Sequence, residues 1–180
     1  MSTEIPQKPV SEVWRPELVR LPALTPGRRL FRAFLRGLCR LLKALCTRPT
    51  VRGLENYPLD GPALIAMNHL GDPDAVLILG CLPEVPESLG KIELRDIPVL
   101  GAAMEALGVI WVHRGRPDRR AIAAALEGFR QGRRILIAPE GRESLTGALE
   151  PGTEGAAFLA LKAGVPIVPL VVTGTETWRI

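Results

Sequence analysis

The fold turns on the run Pro62-Ala63-Leu64-Ile65-Ala66-Met67-Asn68-His69-Leu70-Gly71-Asp72-Pro73-Asp74. Its apolar first half reads as a buried strand. Asp72-Pro73 reads as a helix start, with Asp72 as N-cap and Pro73 at the first helical position. His69 then leaves the end of a strand, and Asp74 sits in the first turn of the following helix. A tight turn can fold that carboxylate back onto the imidazole, and the helix N-terminus favours its ionised form. An imidazole whose tautomer is fixed by a buried acid is what a general base requires. The chain has only two histidines, so the pairing is not a product of composition.

Downstream of residue 51 the pattern alternates. Candidate strands are 63–67, 91–94, 109–113, 134–138 and 166–172. Candidate helices are 74–81, 97–107, 118–131 and 153–163. Gly108, Gly132 and Gly164 follow the last helical residues, where left-handed C-caps are wanted. The alternation predicts an α/β domain, a mixed, mostly parallel sheet flanked by helices.

Upstream, residues 1 to about 25 carry several prolines and no period, and read as a tail. No acidic residue occurs from Leu18 to Leu54. Within that stretch, basic residues at 28/29, 32, 36, 40 and 43 fall on one face of a helix spanning 26–48. Leu30, Phe31, Phe34, Leu38, Leu41, Leu42 and Leu45 cover the rest. A basic face opposite a wide apolar face predicts a helix lying in the interface of an anionic membrane, each cation adding about 1 kcal/mol. A helix packed on the core with a solvated basic face is the alternative. No run of eighteen uncharged apolar residues occurs, so no spanning helix is expected. The N-terminus lacks a signal-peptide pattern. Cys39, Cys46 and Cys81 are odd in number and lack metal or redox spacing, which fits reduced cysteines in a cytoplasmic setting.

Two further strand ends carry chemistry. Arg114 follows the strand Val109-Ile110-Trp111-Val112, where an α/β fold places ligands and a guanidinium can bind phosphate bidentately. Pro139-Glu140-Gly141-Arg142 follows Ile135-Leu136-Ile137 and combines an acceptor, close backbone approach and an anion clamp. Val165-Pro166-Ile167-Val168-Pro169 is mainly architectural and a candidate wall of an apolar tunnel. A metal-dependent hydrolase using His69, Asp72, Asp74 and His113 is a weaker reading, because neither histidine lies in a metal-ligand spacing. A non-enzymatic basic module binding membrane or nucleic acid leaves His69 and Asp74 unexplained, and the absence of a stacking motif argues against single-stranded nucleic acid.

Taken in order and spacing, Asn68-His69 with Asp74, Gly108 to Arg114, Pro139-Glu140-Gly141 and Val165 to Pro169 resemble the four motifs of the glycerolipid acyltransferases. The match is to the PlsC-like, lysophosphatidic acid (1-acyl-glycerol-3-phosphate) acyltransferase type, from about residue 50 to the end. The resemblance implies that His69 takes the proton of an acceptor hydroxyl and Asp74 orients it. The acyl group would come from a thioester of coenzyme A or acyl carrier protein. Asn68, Arg114, Glu140, Gly141 and Arg142 would hold a phosphate-bearing lysolipid, with 1-acylglycerol 3-phosphate first among the acceptors. Another lysolipid or glycerol 3-phosphate is the alternative. No metal or other cofactor is implied, because a thioester is already activated. The implied partners are a membrane lipid and the acyl donor, not nucleic acid. The implied location is peripheral or monotopic on the cytoplasmic face of the cell membrane. The sequence departs from the family twice. Where the family has Glu-Gly-Thr-Arg, Arg142 follows Gly141 directly and Glu143 takes the arginine's place. Family members continue for tens of residues past the fourth motif, so a C-terminally truncated domain over 50–180 is expected.

Overall fold

The computed structural model describes residues 8–176. Residues 1–7 of the expected tail and the last four residues lie outside that range. Five strands form one sheet: β1 Ala63–Met67, β2 Glu87–Lys91, β3 Ile110–Val112, β4 Arg134–Ile137 and β5 Ile167–Leu170. Their order is β3-β2-β4-β1-β5, and every pair is parallel. The connections run through helices α2 Pro73–Cys81, α3 Leu100–Leu107, α4 Arg119–Arg130 and α5 Gly155–Ala163. The α/β expectation holds, with β1 beside the centre.

Period two sorts the core into layers. Leu64, Ile110 and Ile135 pack on one side against Ala125 and Phe129 of α4 and Leu159 and Ala160 of α5. Their neighbours Ile65, Met67 and Leu136 face the other side, against Ile78 of α2 and Leu82 at its end. Val109 and Trp111 pack with Met104 and Leu107 of α3. All five strands therefore aim their C-terminal ends at one rim, where an α/β sheet presents its ligand site. Gly108 and Gly164 cap α3 and α5 with φ of 95° and 66°, and Gly132 follows α4 with φ 73°.

Three expectations are corrected. The second strand covers 87–91, not 91–94, and residues 92–96 form a 3-10 turn. Its first residue, Glu87, is buried and held by Arg32 and Arg133, so no apolar run marks it. Residues 8–25 are not a free tail. Val13 and Leu18 pack on the Trp111 cluster, and Ser11 N–H donates to the Arg114 carbonyl at 3.1 Å.

The third correction is the orientation of the basic helix. α1 spans Pro26–Cys46, capped by the Thr25 hydroxyl accepting from Arg28 N–H. Four of its cations, Arg28, Arg32, Arg36 and Lys43, point inward, while Arg29 and Arg40 are exposed. Arg28 donates to the carbonyls of Glu105 and Ala106, and Arg32 to that of Leu107, all at the C-terminal end of α3. Arg36 and Lys43 donate to the carbonyls of Leu82 and Gly80 at the end of α2. Cations suit helix C-termini because the last carbonyls are unpaired and carry the negative end of the dipole. Arg32 also grips Glu87 with both nitrogens, at 3.1 and 2.9 Å. Gly80 permits the close approach of α2 to α1, since a Cβ there would lie 3.2 Å from the Cys39 carbonyl. The apolar face is turned outward: Leu30, Phe34 and Leu45 are 73%, 65% and 74% exposed. No helix of the described residues is long and apolar enough to cross a membrane.

Candidate active site

β1 ends at Met67, and Asn68 fixes the turn that follows. Its side-chain amide donates to the Val172 carbonyl, and its Oδ1 accepts from Val172 N–H, both at 2.8 Å. The amide is thus spent joining the ends of β1 and β5.

His69 Nδ1 lies 2.8 Å from Asp74 Oδ2. The same oxygen accepts from Leu70 N–H at 2.8 Å and Gly71 N–H at 3.2 Å. The Thr175 hydroxyl donates to Asp74 Oδ1 at 2.5 Å. Burial pushes the Asp74 pKa up, but the bonds from His69, Thr175, Leu70 and Gly71 outweigh it and hold the carboxyl below its ordinary range. An ionised Asp74 fixes the proton on Nδ1 and leaves Nε2 as a free base, assigned here from the hydrogen-bond pattern. Burial pushes the His69 pKa down, yet the bond and charge of Asp74, with Glu143 and Asp72 behind it, raise it overall. Asp72 is not the side-chain N-cap expected of it: it is helical, exposed and makes no cap bond. Asp74 caps the turn instead by folding back.

The loop after β4 forms the second wall. Buried Glu140 accepts from His69 N–H at 3.3 Å and from Glu150 N–H at 3.0 Å, so it ties three segments together. Gly141, with φ 73°, permits the turn. Arg142 does not reach outward as a clamp. Its Nε and Nη2 pair with Glu150 Oε2 at 3.1 and 2.9 Å, and its side chain is buried. The residue that reaches His69 is Glu143, whose Oε1 is 3.8 Å from Nε2. Ser144 N–H donates to the His69 carbonyl at 2.7 Å and locks the loop to the base.

Arg114 stands apart. It ends the edge strand β3, three strands from β1, roughly 14 Å at the ordinary strand spacing. Its Nη2 lies 3.8 Å from Glu93, and its N–H donates to the Ser11 hydroxyl. Its neighbour His113 repeats the spacing of His69: Nδ1 is 2.6 Å from Asp118 Oδ2, five residues on. His113 is buried, however, and its Nε2 accepts from Arg15 N–H at 3.0 Å, so this pair latches the N-terminal segment. The shared His-x4-Asp spacing was visible in the sequence. Thr175 and Glu150 had no such signal, since only the folded loops bring them to the site, and Glu143 was marked only by its place in the third motif. Among the described residues no group of three or more His, Cys, Asp or Glu is arranged to hold a metal ion.

Beside the dyad opens a pocket of about 490 Å³, walled by Met67, Leu70, Pro139, Leu149, Pro169 and Leu170. Apolar walls next to a proton acceptor suit an acyl chain that ends at a reacting hydroxyl. Of the fourth motif only Pro169 lines this pocket, so the motif as a whole is not the tunnel wall expected of it.

Comparison with known proteins bears on the family and the fold. Residues 48–173 match the family model described as Acyltransferase. The chain is 34% identical over 128 residues to the chloroplastic 1-acyl-sn-glycerol-3-phosphate acyltransferase BAT2 of Brassica napus, covering 69% of this chain and 37% of that protein. It is 28% identical over 174 residues to a 1-acyl-sn-glycerol-3-phosphate acyltransferase of Pseudomonas aeruginosa, covering 92% of this chain and 67% of that protein. The crystal structure of PlsC, the 1-acyl-sn-glycerophosphate acyltransferase of Thermotoga maritima, superposes with a TM-score of 0.65 at 26% identity, over 85% of this chain and 63% of the other. The chain therefore spans well under half the length of the Brassica relative and about two thirds of the bacterial ones. With its motifs lying inside the matched residues and its fold shared, the chain belongs to the acyltransferase family.

Proposed function

We propose that the protein is an O-acyltransferase that moves an acyl group from a thioester to a hydroxyl of a phosphate-bearing lysolipid. The observation that carries this is the His69–Asp74 pair: Nδ1 held at 2.8 Å by a carboxylate with three further donors, and Nε2 free at the sheet's C-terminal rim. Nε2 takes the hydroxyl proton as the oxygen attacks the thioester carbonyl. The C–O bond forms, the C–S bond breaks, and the departing thiolate takes the proton back from the imidazolium. Asp74 stays ionised throughout and stabilises the charged ring. Asn68, Glu140, Gly141 and Ser144 position the base. Arg114 is assigned to the acceptor's phosphate, which it can meet only by leaving Glu93. The donor is an acyl thioester of coenzyme A or acyl carrier protein, and neither a metal nor another cofactor takes part.

The outward apolar face of α1 supports a monotopic or peripheral place on a membrane, where a lysolipid is reached without leaving the bilayer. The relatives' names make 1-acylglycerol 3-phosphate the reference acceptor. The test is a thiol-release assay with acyl-coenzyme A and lysolipid acceptors in mixed micelles. Wild-type protein is expected to release thiol in an acceptor-dependent way, and His69→Ala to fall to background while keeping its fold. Acceptor-dependent release by His69→Ala at the wild-type rate rejects the assignment.

A further inference from the structure

Glu143 stands where the family resemblance puts an arginine, and its carboxylate is 3.8 Å from the one nitrogen of His69 that can accept a proton. The reacting hydroxyl must come within about 3 Å of that same nitrogen. The acceptor's phosphate, four bonds from the reacting hydroxyl oxygen, then lies within several ångströms of Glu143, and an ethanolamine ammonium four bonds beyond it can fold back onto that carboxylate. Among the described residues Glu143 has no ion pair with a lysine or arginine. The guanidinium of Arg142, one residue back, is turned into buried Glu150, and that of Arg114 lies three strands away beside Glu93. The charges that act most strongly on His69 are all negative: Asp74, Glu143 and Asp72. Asp74 is enclosed by its donors, so Glu143, about half exposed, is the charge an arriving acceptor encounters.

We infer that Glu143 selects the acceptor by charge, disfavouring a dianionic phosphate monoester beside the reacting hydroxyl and favouring a zwitterionic lysophospholipid whose ammonium pairs with its carboxylate. This rests on the acyltransferase reading and narrows its acceptor. A carboxylate repels a second anion held at a few ångströms and attracts an ammonium by the same Coulomb energy, most strongly in a site partly closed to water. The phosphodiester of a zwitterionic headgroup carries one negative charge in place of two, and its ammonium supplies a cation for Glu143, which among the described residues pairs with no lysine or arginine.

The experiment compares kcat/KM for 1-acylglycerol 3-phosphate and for lysophosphatidylethanolamine of the same acyl chain, in one neutral detergent with one acyl-coenzyme A. It uses the full chain as wild type, Glu143→Gln and Glu143→Arg. Wild type is expected to favour the zwitterion at least tenfold. Glu143→Gln should shrink that ratio, and Glu143→Arg should reverse it, a swing of about a hundredfold. Thermal unfolding should change little in both variants, because the side chain is about half exposed and lies outside the apolar core. A wild-type preference for the monoester, or a ratio that stays constant across the three proteins while thiol release persists, overturns the inference alone. Acceptor-dependent release from neither lipid overturns the acyltransferase reading, and this inference with it.

Discussion

Asp74 spends four hydrogen bonds on one task, keeping a proton on His69 Nδ1 so that Nε2 stays free. Asp74→Asn leaves the shape but weakens the charge that stabilises the imidazolium, so acyl transfer should fall by roughly a hundred- to ten-thousand-fold. The pH dependence has a definite sign. His69 is raised above its ordinary 6.5, so the acid limb of kcat/KM should lie above that value in the wild type. Without the Asp74 charge, burial pushes the ring pKa down, and the limb of the residual activity should move to lower pH. A limb that stays in place shows that His69 does not set it. The same pair shapes stability. A raised His69 adds stability that is complete below 6.5 and is lost as pH rises through its folded pKa. A lowered Asp74 adds stability that is present above 3.8 and is lost as pH falls through its folded pKa. Denaturant unfolding of wild type and Asp74→Asn should therefore differ most between those two values. The His69–Asp74 pair was legible because both partners sit in one tight turn. Thr175 lies 101 residues from Asp74, and no local pattern could announce it.

At the scale of the element, α1 shows why a periodicity does not say which face a helix hides. The spacing of its cations was legible, and so was its apolar arc. Their roles were reversed, because the partners of the cations are carbonyls at the ends of α2 and α3, which leave no mark in the sequence. β2 was displaced for a related reason: its first residue is a buried glutamate made tolerable by Arg32 and Arg133. The reversal changes what membrane binding should depend on. With Arg28, Arg32, Arg36 and Lys43 committed inward, only Arg29 and Arg40 of α1 are left exposed to meet anionic headgroups, and their attraction is the smaller contribution. Burial of Leu30, Phe34 and Leu45 carries the contact, each worth about 1.5–3 kcal/mol when fully removed from water. The triple change Leu30→Ser, Phe34→Ser, Leu45→Ser should abolish co-sedimentation with zwitterionic and anionic vesicles alike, with little change in melting temperature. Wild-type binding should weaken only slightly as salt is raised. Vesicle binding that survives the triple change, or that disappears in moderate salt, rejects the apolar contact.

At the scale of the whole molecule, the layer order of an α/β sheet was legible from alternation alone, while the attachment of residues 8–48 was not. Prolines and an acid-free stretch suggested an appendage. The structure makes them part of the core: Val13 and Leu18 cover Trp111, Arg15 N–H is held by His113, and Arg32 neutralises Glu87 between α1 and the sheet. A buried ion pair adds little over a well-packed apolar pair, but removing one partner leaves an uncompensated charge and costs about 3–5 kcal/mol. A domain of this size has only about 5–15 kcal/mol in total. Removing residues 1–48 strips Glu87 of Arg32 and uncovers apolar surface on α2 and α3 as well. The remaining chain should be insoluble, or should unfold at far lower denaturant than the full chain, and not persist as an active domain merely released from membranes. Arg32→Ala in the full chain leaves Glu87 only the longer 3.4 Å contact of Arg133, so stability should fall, by at most about 3–5 kcal/mol. Adding Glu87→Gln removes the stranded charge and should restore part of that loss. Equilibrium denaturation of the three proteins decides the matter. A truncated chain with the midpoint of the full one, or a double variant no more stable than Arg32→Ala, would show that α1 is an attachment and not a structural layer.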